Sequence, residues 1–339
     1  MMSISNKFYY LYLFITERCQ LACGHCYLGN RSRNKHDMPL EQAQSVLSYF
    51  KRLGSQELVL VGGEPTLHPA LPEIIDCAKN LGYKRITIDT NGLESHYLTS
   101  CVGSKIINRV RVSLDGAIAA THDRIRGHGS FDKAIDGINN YIKNGFNVEI
   151  TTTVTQFNLN ELAELISLCD ALNIRSLNLH SLSVEGFGSD KHEWVIDPET
   201  WVRTMENICR LAKTCKVKIV YPPLWAKLPQ LKTLAQYGYN GCIGTKLDRI
   251  SVFSDGRVQV CTPMLGHSEP FGWFAENSFI TSKKANEFEE FLNSKAMAVS
   301  SLQSGCPAHK YENITSSDGW IPVCRLWRIE ASNQNMDTK

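Results

Sequence analysis

Along the first two-thirds of the chain, short apolar runs alternate with stretches in which apolar residues recur every three or four positions. The short runs, Phe8–Ile15, Glu57–Val61, Arg85–Asp89, Asn108–Leu114, Asn147–Thr155 and Arg175–Leu179, are rich in Val, Ile, Thr and Leu and predict β-strands. Helices are predicted between them, some with recognisable ends. Pro39 opens one that Gly54 stops; Ser130 caps Phe131–Asn144, which Gly145 ends; Asp197 and Pro198 open a segment running through Thr214. Six strand-helix units in succession imply parallel pairing with right-handed crossovers, because each strand must return to the same end of the sheet. The expected architecture is α/β, a partial (β/α)6 barrel over residues 1–227. No Gly-x-Gly-x-x-Gly turn follows the first strand, which argues against a dinucleotide fold.

From about Leu228 the pattern changes. Ile250–Phe253 and Arg257–Cys261 flank Ser254-Asp255-Gly256, which is a hairpin signal. The stretch from Gly305 onward is irregular and bears cysteines. Residues 228–332 are therefore expected to form a small cysteine-rich extension and residues 333–339 a loose tail. There is no internal repeat and no low-complexity segment.

Composition narrows the function classes. With 339 residues, 43% of them hydrophobic, the chain can bury a large core. A formal charge of +2 without a run of either sign gives no support for a nucleic-acid partner. Neither a secretory signal nor a membrane-length apolar segment is evident, so a soluble cytoplasmic protein is expected. Twelve cysteines are many for a reducing compartment, and metal or redox chemistry explains them better than disulfides. Cys77, Cys169 and Cys209 fall in helical patterns and read as small apolar core residues.

Three thiols, Cys19, Cys23 and Cys26, follow the first strand in a C-x3-C-x2-C spacing. In an α/β barrel the loop after a strand lies at the face where sites are built. Three thiolates on one short loop can hold three corners of a 4Fe-4S cube and leave its fourth iron open to a ligand. The competing reading is a closed structural zinc site with His25 as fourth ligand. Cys19 to Tyr27 resembles the signature of the radical S-adenosylmethionine (AdoMet) superfamily, and its Cys-Gly-His-Cys-Tyr ending resembles the subgroup with SPASM or twitch extensions. That resemblance implies that the open iron chelates AdoMet, which is cleaved reductively to methionine and a 5′-deoxyadenosyl radical.

Val61-Gly62-Gly63-Glu64-Pro65 ends the second predicted strand. Two glycines allow close backbone approach to a ligand, and the carboxylate can accept from an ammonium group. Gly62, Gly63, Glu64 and Pro65 resemble the family's GGEP motif, which implies contact with the AdoMet amino group. Other candidates also fall at strand ends: Asn91 in Thr90-Asn91-Gly92, Ser113 and Asp115, Asn158, and His180 with Leu182. Ser113-Leu114-Asp115-Gly116, His122-Asp123 and Arg126-Gly127 resemble the SLDG…HDxxRG run of SPASM-type enzymes. By that analogy Arg126 pairs with the methionine carboxylate, to which a guanidinium can bond bidentately. Turn and capping roles remain open for Asn91, Asp115 and Asn158, and His180 can equally be a satisfied core residue.

Cys242, Cys261, Cys306 and Cys324 lie beyond the barrel and resemble the opening Cys…Gly-x4-Cys of SPASM and twitch domains, with Gly256 and Cys261 in the matching places. Four thiolates would saturate one auxiliary 4Fe-4S cluster suited to electron transfer. The fuller SPASM pattern has more cysteines, so the resemblance favours the twitch version. The wide Cys306 to Cys324 spacing departs from the tight pair of some relatives, His309 is a substitute ligand, and a C4 zinc appendage is the alternative. Cys101, Cys209 and Cys215 are left without an iron site, one of them a possible hydrogen-atom donor.

The resemblance implies a radical enzyme acting on an unactivated C–H bond. The expected substrate is a ribosomally made peptide, to be crosslinked, oxidised or epimerised. The alternatives are a small molecule such as an aminoglycoside-like sugar and, from another class, a non-catalytic iron-sulfur electron carrier. The expected partners are a reductant such as flavodoxin or ferredoxin and a separate leader-peptide-binding protein, because the barrel begins near Phe8.

Overall fold

The computed structural model describes residues 8–33, 36–239, 241, 248–262, 270–282 and 319–331. Seven parallel strands form the frame: β1 (Tyr10–Thr16), β2 (Glu57–Gly62), β3 (Arg85–Thr90), β4 (Arg109–Ser113), β5 (Val148–Val154), β6 (Ser176–Ser181) and β7 (Lys218–Tyr221). They neighbour one another in chain order, as repeated strand-helix units require. The intervening helices are α1 (Leu40–Arg52), α2 (Leu71–Asn80), α3 (Ser95–Cys101), α4 (Ala119–Arg126), α5 (Ser130–Lys143), α6 (Leu162–Ala171) and α7 (Pro198–Leu211). All six expected strands are present with small shifts at their ends, and β7 is an addition. The fold is the expected α/β partial barrel.

Beyond α7 lie β8 (Trp225–Ala226), α8 (Leu228–Gln236), β9 (Arg249–Val252), β10 (Arg257–Gln259), β11 (Gly272–Ala275), β12 (Ser278–Thr281), β13 (Ile321–Pro322) and β14 (Ile329–Glu330). The predicted hairpin is β9 and β10, antiparallel around Ser254-Asp255-Gly256. β9 runs parallel to β1, so the hairpin extends the barrel sheet on one side, while β14 pairs antiparallel with β7 on the other. The sheet therefore crosses position 228 without a break in its core. Ile250, Val252, Val258 and Ile329 pack in the same cluster as the barrel strands. β8 and β13 form a separate small ribbon.

The strands alternate in character. Leu11, Leu13, Ile15, Leu58, Leu60, Ile86, Ile88, Val110 and Val112 bury against the helices. Tyr12, Asp89, Arg109, Arg111, Glu149 and His180 occupy the opposite positions and face the concave interior, as the period of two dictates. The N-terminal end of this interior is closed by ion pairs. Glu57 meets Arg85 at 3.0 Å and Arg109 at 3.2 Å. The sites described next lie at the other end.

One local expectation changes in detail. Ser130 is the first residue of α5, and its hydroxyl donates to the Gly127 carbonyl rather than accepting from a helix N–H. The cap comes from Asp123, whose carboxylate accepts from the Gly129 and Phe131 backbone N–H groups at 2.6 and 2.8 Å. Asp197, by contrast, caps α7 as expected, accepting from Thr200 N–H at 2.9 Å. Cys169 and Cys209 are core residues, and Cys77 packs against the core half-buried. Among the described residues no helix is long and apolar enough to cross a membrane.

Candidate functional site

The cysteine loop leaves β1 and is pinned from three directions. Gly24 N–H donates to the Ile125 carbonyl of α4, Cys26 accepts from Phe187 N–H, and Glu17 N–H donates to His36. Gly186 has a φ of +58°, and a Cβ there would lie 2.5 Å from the Cys26 carbonyl oxygen, so only glycine lets this segment press on the loop. Cys19, Cys23 and Cys26 are not in disulfides. The three thiols lie within electrostatic reach of one another. Among the described residues, no three His, Cys, Asp or Glu side chains close on a point where a single metal ion would sit. Burial pushes the Cys19 thiol up to about 12 and the Cys23 thiol up to about 11, the latter against the pull of the Arg126 guanidinium.

The Gly62-Gly63-Glu64-Pro65 turn is sewn to the same loop. Gly63 and Glu64 N–H groups donate to the Thr16 and Arg18 carbonyls at 2.8 and 2.7 Å. A Cβ at Gly62 would lie 2.6 Å from the Thr16 oxygen, and one at Gly63 would overlap the Arg18 oxygen. The glycines therefore permit close approach of two pieces of this chain. Glu64 is buried, and its carboxylate accepts from Thr66 N–H, the Thr66 and Thr90 hydroxyls at 2.6 and 2.7 Å, and Asn91 N–H at 2.7 Å. Burial nevertheless pushes its pKa above the ordinary carboxylate value. Here the side chain holds together the turns after β2 and β3, where the sequence suggests an acceptor for an ammonium group. Pro65 starts the short 3-10 turn that Glu64 caps. Asn91, placed by that clamp, directs its amide nitrogen toward Gln20 Oε1 at 3.1 Å and Cys19 Sγ at 3.9 Å.

A second buried carboxylate organises the opposite wall. Asp115 is fully buried after β4, and it meets Arg126 Nε at 2.5 Å, His25 Nε2 at 3.1 Å and Thr153 N–H at 2.7 Å. Burial alone would raise its pKa, but Arg126 and His25 overcome that and hold the carboxyl well below the usual range. Arg126 Nη1 lies 3.9 Å from Cys23 Sγ, so the guanidinium joins Asp115 to the cysteine loop. His25 Nδ1 is buried and has no hydrogen-bond partner among the described residues. His122 Nδ1 accepts from Asp115 N–H at 3.1 Å, and burial with the nearby Arg126 charge pulls its pKa down to about 4. Asn158 braces the same turn, donating to the Asp115 and Thr153 carbonyls at 2.9 and 2.8 Å.

The remaining candidates lie further along the sheet. Ser113 ends β4 half-buried on the concave face. His180 lies near the end of β6, where its Nδ1 is 3.0 Å from Arg328 Nη2; burial and the charge of Arg328 hold its pKa well below the ordinary histidine value. Leu182 is buried with Ile125, Val184 and Trp194, and its carbonyl accepts from Arg325 at 3.4 Å. Cys261 follows β10 half-buried, while Cys324 is buried against Ala226, Leu231, Leu234 and Tyr239. Cys242, Cys306, His309 and the 333–339 tail lie outside the described residues. Sequence reasoning did not single out Tyr12, Asp89, Arg111, Arg249 or Arg328, which gather inside the barrel. The signal was present for Asp89 and Arg111, whose charges interrupt otherwise apolar strands at alternate positions.

The family model described as Radical SAM superfamily matches residues 13–169. The mycofactocin maturase MftC of Mycobacterium ulcerans is 30% identical over 184 residues, which are 53% of this chain and 48% of that protein. The match thus spans about half the length of that relative. The AdoMet-dependent heme synthase of Methanosarcina barkeri is 26% identical over 322 residues, 88% of this chain and 90% of that one. Among solved structures, Streptococcus suis SuiB bound to S-adenosylmethionine aligns with a TM-score of 0.63 at 18% identity, over 84% of this chain and 66% of that one. SuiB bound to precursor peptide SuiA aligns with a TM-score of 0.62 at 17% identity, over 78% and 62%. At such identities the likeness to SuiB is one of fold.

Proposed function

This chain belongs to the radical SAM superfamily through residues 13–169, and from that premise we propose that Cys19, Cys23 and Cys26 hold a 4Fe-4S cluster whose open iron binds AdoMet. When bound, the cluster supplies one electron that breaks the 5′ C–S bond of AdoMet, giving methionine and a 5′-deoxyadenosyl radical that takes a hydrogen atom from a substrate C–H bond. What carries this reading is three unpaired thiols on one loop, held by the GGEP turn and by the Asp115–Arg126 pair.

The chain's own residues would act mainly by holding shape. The Thr16 and Arg18 carbonyls fix the Gly63-Glu64 backbone and the Glu64 carboxylate fixes that of Asn91, so that main-chain groups and the Asn91 side chain would face the AdoMet amino acid moiety. Arg126, bonded to Asp115 through Nε and with Nη1 toward Cys23 Sγ, would hold its guanidinium beside the cysteine loop, within reach of the cofactor carboxylate. Ser113, His180 and Leu182 line the wall where the nucleoside would lie. Cys261 and Cys324, together with Cys242 and Cys306 in the sequence, would hold the auxiliary 4Fe-4S cluster of a twitch-like extension assigned to residues 228–332.

The substrate reading is maturation of a ribosomally made peptide, supported by the mycofactocin maturase and by the fold shared with a peptide-bound SuiB. A small-molecule substrate is the second reading, favoured by the whole-length likeness to a heme synthase. A flavodoxin or ferredoxin would supply the electron, and a separate leader-binding protein would present a peptide.

Anaerobic reconstitution of the full chain is expected to load about eight irons, and replacement of Cys19, Cys23 and Cys26 by alanine to leave about four. The same triple variant should release no 5′-deoxyadenosine with dithionite and AdoMet, as read by chromatography. Release by the variant, or zinc alone in the wild type, overturns the first-site assignment.

A further inference from the structure

Arg328 reaches the barrel interior from the C-terminal segment that β14 anchors on β7. Its guanidinium donates to the Leu179 carbonyl and approaches His180 Nδ1 at 3.0 Å. Arg111 and Arg249, from β4 and β9, both lie within electrostatic reach of it, and the Tyr12 phenol lies within reach of all three guanidiniums. Three cations thus converge from opposite sides of the lumen. Two of them have acidic partners: Arg111 Nε meets Asp89 at 2.6 Å, and Arg249 Nε meets Asp248 at 3.3 Å. Glu149 also faces Arg111, but it is shared with Arg109 at 3.9 Å. Among the described residues no carboxylate lies within ion-pair distance of Arg328. Yet the wall is accessible, since Asp89 keeps 34% of its side chain open and Arg111 18%.

A cation held among other cations and away from carboxylates is unfavourable unless something compensates it. Burial, together with the Arg111 and Arg249 charges, lowers the Arg328 pKa to about 10, which leaves it charged at neutral pH. We propose that Arg328, with Arg249 and Tyr12, forms a carboxylate-binding subsite in the lumen, so that the substrate enters with a carboxylate leading. The planar fork of a guanidinium suits a carboxylate, and a concave low-dielectric wall concentrates the field of several like charges. The carboxylate belongs either to an acidic side chain or to a chain terminus. The inference rests on the proposed enzymatic reading, in which the lumen below the cysteine loop receives the substrate. The Cys324 sulfur also lies within reach of Arg249 and Arg328, which makes the auxiliary cluster the competing occupant.

Calorimetric titration of the reconstituted full chain with three capped amino acids separates these outcomes. N-acetylglutamate α-amide offers only a side-chain carboxylate, N-acetylglutamine only a terminal one, and N-acetylglutamine α-amide neither. One of the two anions is expected to bind at least tenfold more tightly than the neutral probe, and which one it is identifies the source. Arg328→Met should remove that preference, and Arg328→Lys should restore part of it. Iron content serves as the check that each variant is folded and loaded. Equal binding of all three probes, absence of binding, or an unchanged preference in Arg328→Met overturns the proposal. Loss of about four irons in Arg328→Met also overturns it, by assigning the arginines to the auxiliary cluster. A wild type that prefers the anion but never releases 5′-deoxyadenosine would sink the enzymatic reading and leave the anion site standing.

Discussion

At the scale of single residues, the site is held by buried polar groups whose partners are other parts of this chain. Glu64 and Asp115 accept seven contacts between them from β3, β5, the segments that follow β2 to β4, and the cysteine loop. Asp115 N–H in turn donates to a histidine that must stay neutral. The pKa of His122 falls from about 6.5 in the unfolded chain to about 4 in the fold. Its contribution to stability is therefore complete above pH 6.5 and lost as pH falls toward 4. The loss is on the order of 3 kcal/mol, because the unfolded chain binds the proton first. His68 and His180, also lowered, add to the same trend. Urea denaturation from pH 7 to pH 4 should show a shallower decline for His122→Asn, which keeps an acceptor for Asp115 N–H without the titration. An unchanged pH slope would show that His122 is not the neutral histidine the geometry requires. The sequence made Glu64, Asp115 and Arg126 visible as candidates, but not that Asp115 engages Arg126 and His25 together, since those contacts join residues 11 and 90 positions away.

At the scale of elements, most boundaries were legible because local chemistry sets them. Pro39 and Pro198 precede or open helices, and Gly54 and Gly145 follow helix ends with positive φ. α5 is the instructive departure. Ser130 looks like its cap in the sequence, yet the carboxylate that satisfies the first N–H groups comes from Asp123 on α4. A cap reaching across the α4–α5 turn cannot be told from local spacing when a hydroxyl stands at the conventional place. Asp123→Ala is expected to destabilise the protein by about 1–2 kcal/mol, and Ser130→Ala by clearly less, both measured by chemical denaturation. Equal losses would return the capping role to Ser130. The Gly62-Gly63 pair shows a related limit. The sequence marked a place of close approach, and the structure identified the approaching partner as the Thr16 to Arg18 backbone.

At the scale of the whole molecule, a polar lumen runs through an apolar shell. Its floor depends on Glu57, whose two oxygens serve Arg85 and Arg109. Glu57→Gln leaves two arginines without that charge, and because both are partly exposed the cost should be about 1.5–3 kcal/mol rather than that of a fully buried pair. Denaturation at low and at 1 M salt checks this, the difference shrinking at high salt if screening operates as expected. The same view shows residues beyond 228 continuing the sheet on both sides, through β9 on β1 and β14 on β7. The sequence by itself determined the order of strands and helices, the cysteine loop at the end of the first strand and the turns that follow the next ones. Each of these follows from side-chain periodicity, backbone preference or short spacing. Only the tertiary structure decided which strand β9 would join, that Asp123 would cap its neighbour, and that Arg328 would enter the lumen 148 residues from its partner His180. Those outcomes depend on pairings between distant segments, whose closure is set by the packing of the whole sheet and by the charges its concave face must accommodate.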